Sequence, residues 1–186
     1  MRTPSRARRD RPAARPLSRW LGHAAVLVAA VFAAGMAEAA CTGIGVISCS
    51  ATVSATTMGF GNYNPNAAVG ASDTTSTVTV NGTINGVVGL FNTLSYSISL
   101  SAGASSTLAD RRLVFGSNTL AYNLYTDSGR ASIWGANSVN DSVNLLISLL
   151  GSATFTRNYT VYGRIAAAQY VTPGLYANTI TVTVDY

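Results

Sequence analysis

The side chains that most often carry catalysis are scarce in this sequence. Its single histidine, His23, and its single glutamate, Glu38, both lie near the N-terminus, and every basic residue is an arginine. Both would be removed with the leader expected over residues 1–39. In the exported chain a Ser-His-Asp or Cys-His hydrolase, a His-ligated zinc site, a Schiff-base lysine and a phosphate-binding loop would then each lack an obligatory residue. No two of the remaining aspartates are close in sequence, so an acid–base pair would have to be assembled by the fold. The sequence therefore predicts a protein that is not an enzyme and that uses no cofactor or metal.

The first 39 residues have the organisation of a secretory signal peptide. Seven of the twelve basic residues lie in the first twenty positions, an apolar stretch follows over 21–36, and Ala37-Glu38-Ala39 supplies small residues for cleavage. We expect cleavage after Ala39, so that residues 1–39 are the signal peptide. The apolar stretch is shorter than the roughly 20 residues that span a bilayer, and we therefore expect no stable membrane anchor.

The exported chain is close to neutral once the leader is removed. Residues 40–186 contain five arginines and five aspartates. Nucleic-acid binding needs a basic face on the folded protein, so we expect no nucleic-acid partner. Arg111 and Arg112 follow Asp110, and we expect these charges to pair at the surface, where ion pairs contribute about 0–1 kcal/mol. Three other aspartates stand among turn-forming residues and are predicted in turns: Asp73, Asp127 and Asp141.

The two cysteines, Cys41 and Cys49, remain after export into an oxidising compartment, which favours a disulfide between them. In one extended strand they would lie about 26 Å apart, whereas a bridge needs Cα atoms within about 7 Å. The segment between them must then turn back, and Gly43 and Gly45 give the backbone the freedom to do so. Two separate thiols or intermolecular bridges are the alternative.

Period-two alternation predicts an all-β protein, and no helical stripe is convincing. Alternating runs are separated by turn residues such as Asn81-Gly82 and Pro173-Gly174. Many short strands with regular turns indicate a β-sandwich. The segment 143–150 is open between a short helical turn and an irregular strand. The clearest alternating runs are 77–80, 94–100, 120–125, 159–165 and 179–186.

A set of residues in a fixed order makes the sequence recognisable. The set comprises Cys49-Ser50-Ala51-Thr52-Val53, Met58-Gly59-Phe60-Gly61-Asn62-Tyr63-Asn64-Pro65, Arg111-Arg112-Leu113, Leu120 to Asp127, Ile133-Trp134-Gly135, Tyr159 to Ile165, Gln169, and Pro173-Gly174-Leu175-Tyr176 with the run to Tyr186. In this order and spacing the residues resemble the spore coat protein U domain, whose members include subunits of archaic chaperone-usher pili. The resemblance covers residues 49–186, after a short N-terminal segment, 40–48.

The resemblance implies an immunoglobulin-like β-sandwich that is incomplete, because it lacks its last strand and leaves a hydrophobic groove open. In the family's pilins a periplasmic chaperone fills the groove with a strand, and the N-terminal segment of the next subunit replaces that strand in the fibre. The last alternating run then forms the strand at the groove edge, where it pairs with the chaperone. Its inward residues are Ile180, Val182, Val184 and Tyr186, while Ile44 and Val46 have the spacing of donor residues.

Two departures from the family pattern concern the N-terminal segment. Many members carry a second cysteine where this chain has Asn81, which leaves Cys41 as the available partner for Cys49. A bridge between these two would curl the residues that a donor needs extended. Either the bridge does not form, or the subunit accepts a donor strand without offering a good one.

The function implied is a non-enzymatic structural subunit of an extracellular pilus that supports surface attachment or biofilm. Its partners would be a periplasmic chaperone, an outer-membrane usher and other pilin subunits. It would pass through the periplasm to the cell surface. The alternatives are a secreted coat protein with a complete fold, or a tip adhesin that could use Trp134 to bind glycan.

Overall fold

The fold is described from a computed structural model over residues 41–43, 45–65, 70–86, 89–147 and 151–186, without the side chains of residues 89 and 90. These residues belong to one unit, Met36–Tyr186. The expected signal peptide, 1–39, and the expected donor residue Ile44 lie outside the described residues.

The described residues form strands and no helix, so the all-β prediction is confirmed. The strands are β1 Cys41–Gly43, β2 Ile47–Ala55, β3 Ser72–Gly86, β4 Gly89–Leu100, β5 Arg112–Phe115, β6 Asn118–Tyr125, β7 Val139–Ile147, β8 Gly151–Ile165 and β9 Val182–Asp185. Every pairing is antiparallel. One sheet has the order β2-β3-β8-β6-β5, and the other has β1-β4-β7 with β9 also paired to β4.

The core forms because alternate residues of both sheets are apolar and face each other. Burying one such side chain contributes about 1.5–3 kcal/mol. The buried apolar residues are Val78, Val80, Ile84, Leu94, Tyr96, Ile98, Leu100, Leu120, Tyr122, Leu124, Trp134, Val143, Ile147, Val161 and Ile165. The predicted β-sandwich is therefore present.

Opposite the core, the outward face of β2, β3 and β8 carries serine, threonine and asparagine in registered rows. The rows are Ser48–Asn85–Ser152, Ser50–Thr83–Thr154, Thr52–Asn81–Thr156 and Ser54–Thr79–Asn158. Thr79 donates to Asn158 and Thr156 donates to Asn81, each over 2.8 Å. Asn81 thus faces solvent, away from Cys49 on the inner face of β2, and it bonds laterally to β8.

The chain crosses from one sheet to the other between β1 and β2. β1 pairs with β4, whereas β2 pairs with β3 in the opposite sheet. Gly45, with a φ of 100°, turns the chain between them. A disulfide joins Cys41 to Cys49 with their Cα atoms 6.1 Å apart, so it ties the two sheets together at this crossing.

Candidate functional site

The last strand, β9, leaves one of its edges without a partner strand in the described part of the chain. On its other edge it pairs with β4, with Val182 opposite Leu100 and Val184 opposite Ile98. β9 also lies near β2, which hydrogen-bonds only to β3 among the described strands. The free edges of these two strands therefore border the same side of the sandwich.

An open cavity of about 330 Å³ lies beside this edge. One wall is the segment after β2, with Met58 and Phe60, and the other is the approach to β9, with Ile180 and Val182. The floor is made of core side chains: Val78, Leu100, Tyr122, Leu124 and Val161. Core side chains that line a cavity open to solvent are a surface that an added apolar strand could cover.

A second cavity of about 700 Å³ continues the first. The two share Met58, Phe60 and Leu113, and the second runs on between residues 57–65 and 171–178. Leu175, on its rim, is 90% exposed. We call the two cavities together the groove.

The four residues predicted at the groove edge alternate in burial with the residues between them, but they lie in different environments. Ile180, Val182, Val184 and Tyr186 are half-buried against the core, while the residues between them are exposed. Ile180 and Val182 line the groove. Tyr186 instead borders a shallow depression beside Tyr96 and Asp141. The strand itself begins at Val182, although Thr181 already bonds to Ser101.

β1 and β9 occupy successive stretches of the same edge of β4. Gly43 lies opposite Asn92 and Cys41 opposite Leu94, while Asp185 lies opposite Ser97. The two strands run in the same direction, since both are antiparallel to β4. Of the proposed donor residues, Val46 follows β1 and is 78% exposed.

Asn92, beneath β1, is fully buried, and neither of its side-chain polar atoms has a hydrogen-bond partner among the described residues. Gly43 passes directly over it, and a Cβ at position 43 would collide with the Asn92 carboxamide. An unpaired buried amide costs about 1–3 kcal/mol. Asn92 therefore destabilises the packing of β1 against β4.

Residues 33–183 match the profile of the Spore Coat Protein U domain. The chain belongs to this family. No curated protein matches it.

Among solved structures, the chain is similar to one from the CsuC-CsuE chaperone-tip adhesion subunit pre-assembly complex of archaic chaperone-usher Csu pili of Acinetobacter baumannii. The TM-score is 0.45 and the sequence identity 19%, over 75% of this chain and 40% of that chain. The chain thus spans less than half of the length of the protein it matches.

In this spore coat protein U domain, the groove wall depends on Gly163, which lies in the recognised run from Tyr159 to Ile165. The sequence alone does not show why a glycine stands there. Met58 and Phe60 lie across Gly163 of β8, where a Cβ would collide with the Met58 sulfur and approach the Phe60 ring to 2.9 Å. Phe60 also packs edge-on against Tyr122. Because Gly163 has no side chain, Met58 and Phe60 can pack closely against β8.

Trp134 does not serve this spore coat protein U domain as an exposed stacking platform. It is buried, and its indole N–H donates to the Ile98 carbonyl over 3.2 Å. This burial contradicts the alternative in which Trp134 stacks on a glycan.

A polar cluster links the two sheets near the depression beside Tyr186. Tyr159 of β8 donates to Asp141 of β7 over 2.5 Å, and the Tyr96 and Tyr159 hydroxyls lie 2.6 Å apart. Burial raises the pKa of Tyr159, and its hydrogen bonds to Asp141 and Tyr96 raise it further. Burial also raises the pKa of Asp141, but hydrogen bonds from Tyr159, the Ser142 amide and Tyr96 outweigh burial and lower that pKa overall. The cluster thus favours a charged carboxylate between two neutral phenols.

Charge is otherwise sparse around the groove. Within the described residues, no group of three His, Cys, Asp or Glu side chains could hold a metal ion. No helix among these residues is long and apolar enough to cross a membrane. The side chains that line the groove are uncharged, so it is suited to apolar side chains and main-chain hydrogen bonds rather than to a charged ligand.

Proposed function

We propose that the chain is a non-enzymatic subunit of an extracellular pilus, assembled by the chaperone-usher route through donor-strand complementation. The observation that carries this proposal is the groove, floored by core residues and bordered by the unpaired edge of β9. An incoming strand would hydrogen-bond to that edge and place alternate apolar side chains against the floor. Family membership supports the same reading, because pilus subunits occur in this family.

The proposed partners follow from what the groove requires at each stage. A periplasmic chaperone supplies the first strand, an outer-membrane usher receives the complex, and another subunit supplies the strand in the fibre. The contact is head-to-tail and does not close on itself, so it generates filaments. The protein would pass through the periplasm and act at the cell surface in attachment or biofilm formation.

The proposal is tested by adding a strand to the purified exported chain, residues 40–186. A synthetic peptide of alternating valine and threonine serves as the probe. The chain alone is expected to be marginally stable or self-associating. With the peptide it should become monomeric and unfold cooperatively, with a gain of about 2.7 kcal/mol when the peptide is at about 100 times its Kd.

A matched pair of variants locates the binding site. Ile180→Asp places a carboxylate in the groove, where its desolvation opposes strand binding, and should abolish the gain. Thr183→Asp, on the exposed face of β9, should leave the gain intact. A monomer that unfolds in one steep transition and ignores the peptide would contradict the proposal. That result would favour the secreted coat protein with a complete fold.

A further inference from the structure

We propose that the Cys41–Cys49 disulfide keeps the N-terminal segment, residues 41–46, on its own subunit, so that this subunit accepts a strand but does not donate this segment. The inference rests on the proposed function and names the chain's place in the fibre. With the expected cleavage after Ala39, this segment is the one that could serve as a donor strand. A subunit that keeps it in place would end the fibre on one side. Its partner is then a different subunit that carries a free donor strand.

The disulfide prevents the N-terminal segment from straightening. Cys49 lies within β2, paired opposite Ile84 of β3, and is fixed in the sandwich. The bond holds Cys41 with its Cα atom 6.1 Å from that of Cys49. Cys41 therefore stays at its own domain, and the chain between the two cysteines is closed into a small loop that cannot straighten into a donor strand.

β1 already covers part of an edge of its own sheet. It pairs with β4 over Cys41–Gly43, on the stretch that β9 leaves uncovered. Donation would break these pairs and expose the edge of β4 again. An exposed strand edge invites non-specific pairing, so the docked position protects the subunit.

The disulfide, rather than the packing of β1, holds the N-terminal segment on its own subunit. β1 is only three residues long, and it covers the unpaired amide of Asn92. Release of β1 would let water hydrate that amide. Val46 is exposed and adds little packing to hold the segment in place. Without the covalent bond, the segment should leave β4.

The test compares the exported chain with the Cys41→Ser/Cys49→Ser variant, using unboiled denaturing gels and size-exclusion chromatography. The wild-type chain should bind the valine–threonine peptide but form no heat-sensitive ladder. The variant should gain a ladder, and adding Val46→Asp should cause its loss. Adding Asn92→Leu to the variant should also reduce the ladder, because it removes the unpaired amide and retains β1 on β4.

Val46→Asp in the wild-type background keeps the test decisive even if the cysteine variant fails to fold. The proposal expects this substitution to change neither peptide binding nor incorporation at the end of a fibre. A wild-type ladder that Val46→Asp abolishes would overturn the proposal. A folded cysteine variant, judged by circular dichroism, that forms no ladder would also overturn it. Failure of the wild-type chain to bind the peptide would instead refute the proposed function.

Discussion

Arg111 is a fully buried cation held by neutral acceptors. Its guanidinium donates to the carbonyl oxygens of Ser101, Leu100 and Trp134 and to the side chain of Asn123, over 2.6–3.2 Å. Burial lowers its pKa, as expected where the charged form is desolvated. The residue therefore connects the end of β4, the loop at Trp134 and β6 through one planar fork.

Replacing the Arg111 guanidinium tests its contribution to the free energy of unfolding. Arg111→Lys should lower the free energy of unfolding by about 3 kcal/mol, because an ammonium cannot reach all four acceptors and leaves buried groups unpaired. Denaturant titration of the chain saturated with the valine–threonine peptide measures the change. Arg112→Lys is the matched control, since the Arg112–Asp110 pair is exposed and should change stability by about 0–1 kcal/mol. Equal effects at the two positions would contradict this account.

The carboxylate of Asp141 gives a second residue-level prediction, on pH. Its pKa is lower in the folded state than its ordinary value, so its contribution to stability is present above about pH 4 and is lost as the pH falls below that. The stability gap between wild type and Asp141→Asn should therefore narrow in acid. Tyr159→Phe, which removes one donor to the carboxylate, should weaken the acid dependence. A gap that stays constant down to about pH 2 would refute the prediction.

Single side chains were only partly predictable from the sequence. Arg112 pairs with Asp110 at the surface, but for its neighbour Arg111 the same expectation is wrong, because adjacent residues point in opposite directions here. Asp127 accepts hydrogen bonds from the amides of Ala131 and Ser132 in a turn. Two aspartates predicted in turns lie in strands instead and bind partners distant in sequence: Asp73 with Arg164, and Asp141 with Tyr159.

At the scale of the strands, the groove wall depends on close packing over β8. Gly163→Val would displace Met58 and Phe60 and alter the wall, so affinity for the valine–threonine peptide should fall about tenfold or more, equivalent to at least about 1.4 kcal/mol. Binding measured by calorimetry provides the readout. Thr154→Val is the control, because Thr154 lies on the outer face of the same strand, away from the groove, among the rows of polar side chains. Unchanged affinity for Gly163→Val would place the binding site elsewhere.

The strands themselves were predictable where alternation is strict. The runs 94–100 and 159–165 fall within β4 and β8, and 143–147 of the undecided segment belongs to β7. The terminal run is shorter as a strand than the pattern 179–186 suggests. Asn178 hydrogen-bonds to the Tyr122 hydroxyl and to the amide of Ala104. The residues just before β9 are thus bonded elsewhere and do not join the pairing of β9 with β4. Such contacts join residues far apart in sequence, so a local pattern does not reveal them.

At the scale of the whole molecule, the disulfide is predicted to stabilise the fold moderately. Closing the small loop between Cys41 and Cys49 is worth about 2–3 kcal/mol. Cys41→Ser/Cys49→Ser should therefore lower the midpoint of urea unfolding without a large change in slope. Ser48→Ala, on the outer face of β2, is a control expected to lie within about 0.5 kcal/mol of wild type. A cysteine variant as stable as wild type would contradict the loop estimate.

The crossing between the sheets also decides how the protein would respond to pulling. A chain loaded through its N-terminal residues would lengthen by straightening the stretch from Cys41 to Cys49, which spans about 26 Å when extended. The disulfide holds these Cα atoms 6.1 Å apart, so it prevents about 20 Å of that extension. Tension applied there would pass directly from one sheet to the other, so this end of the molecule would be stiff.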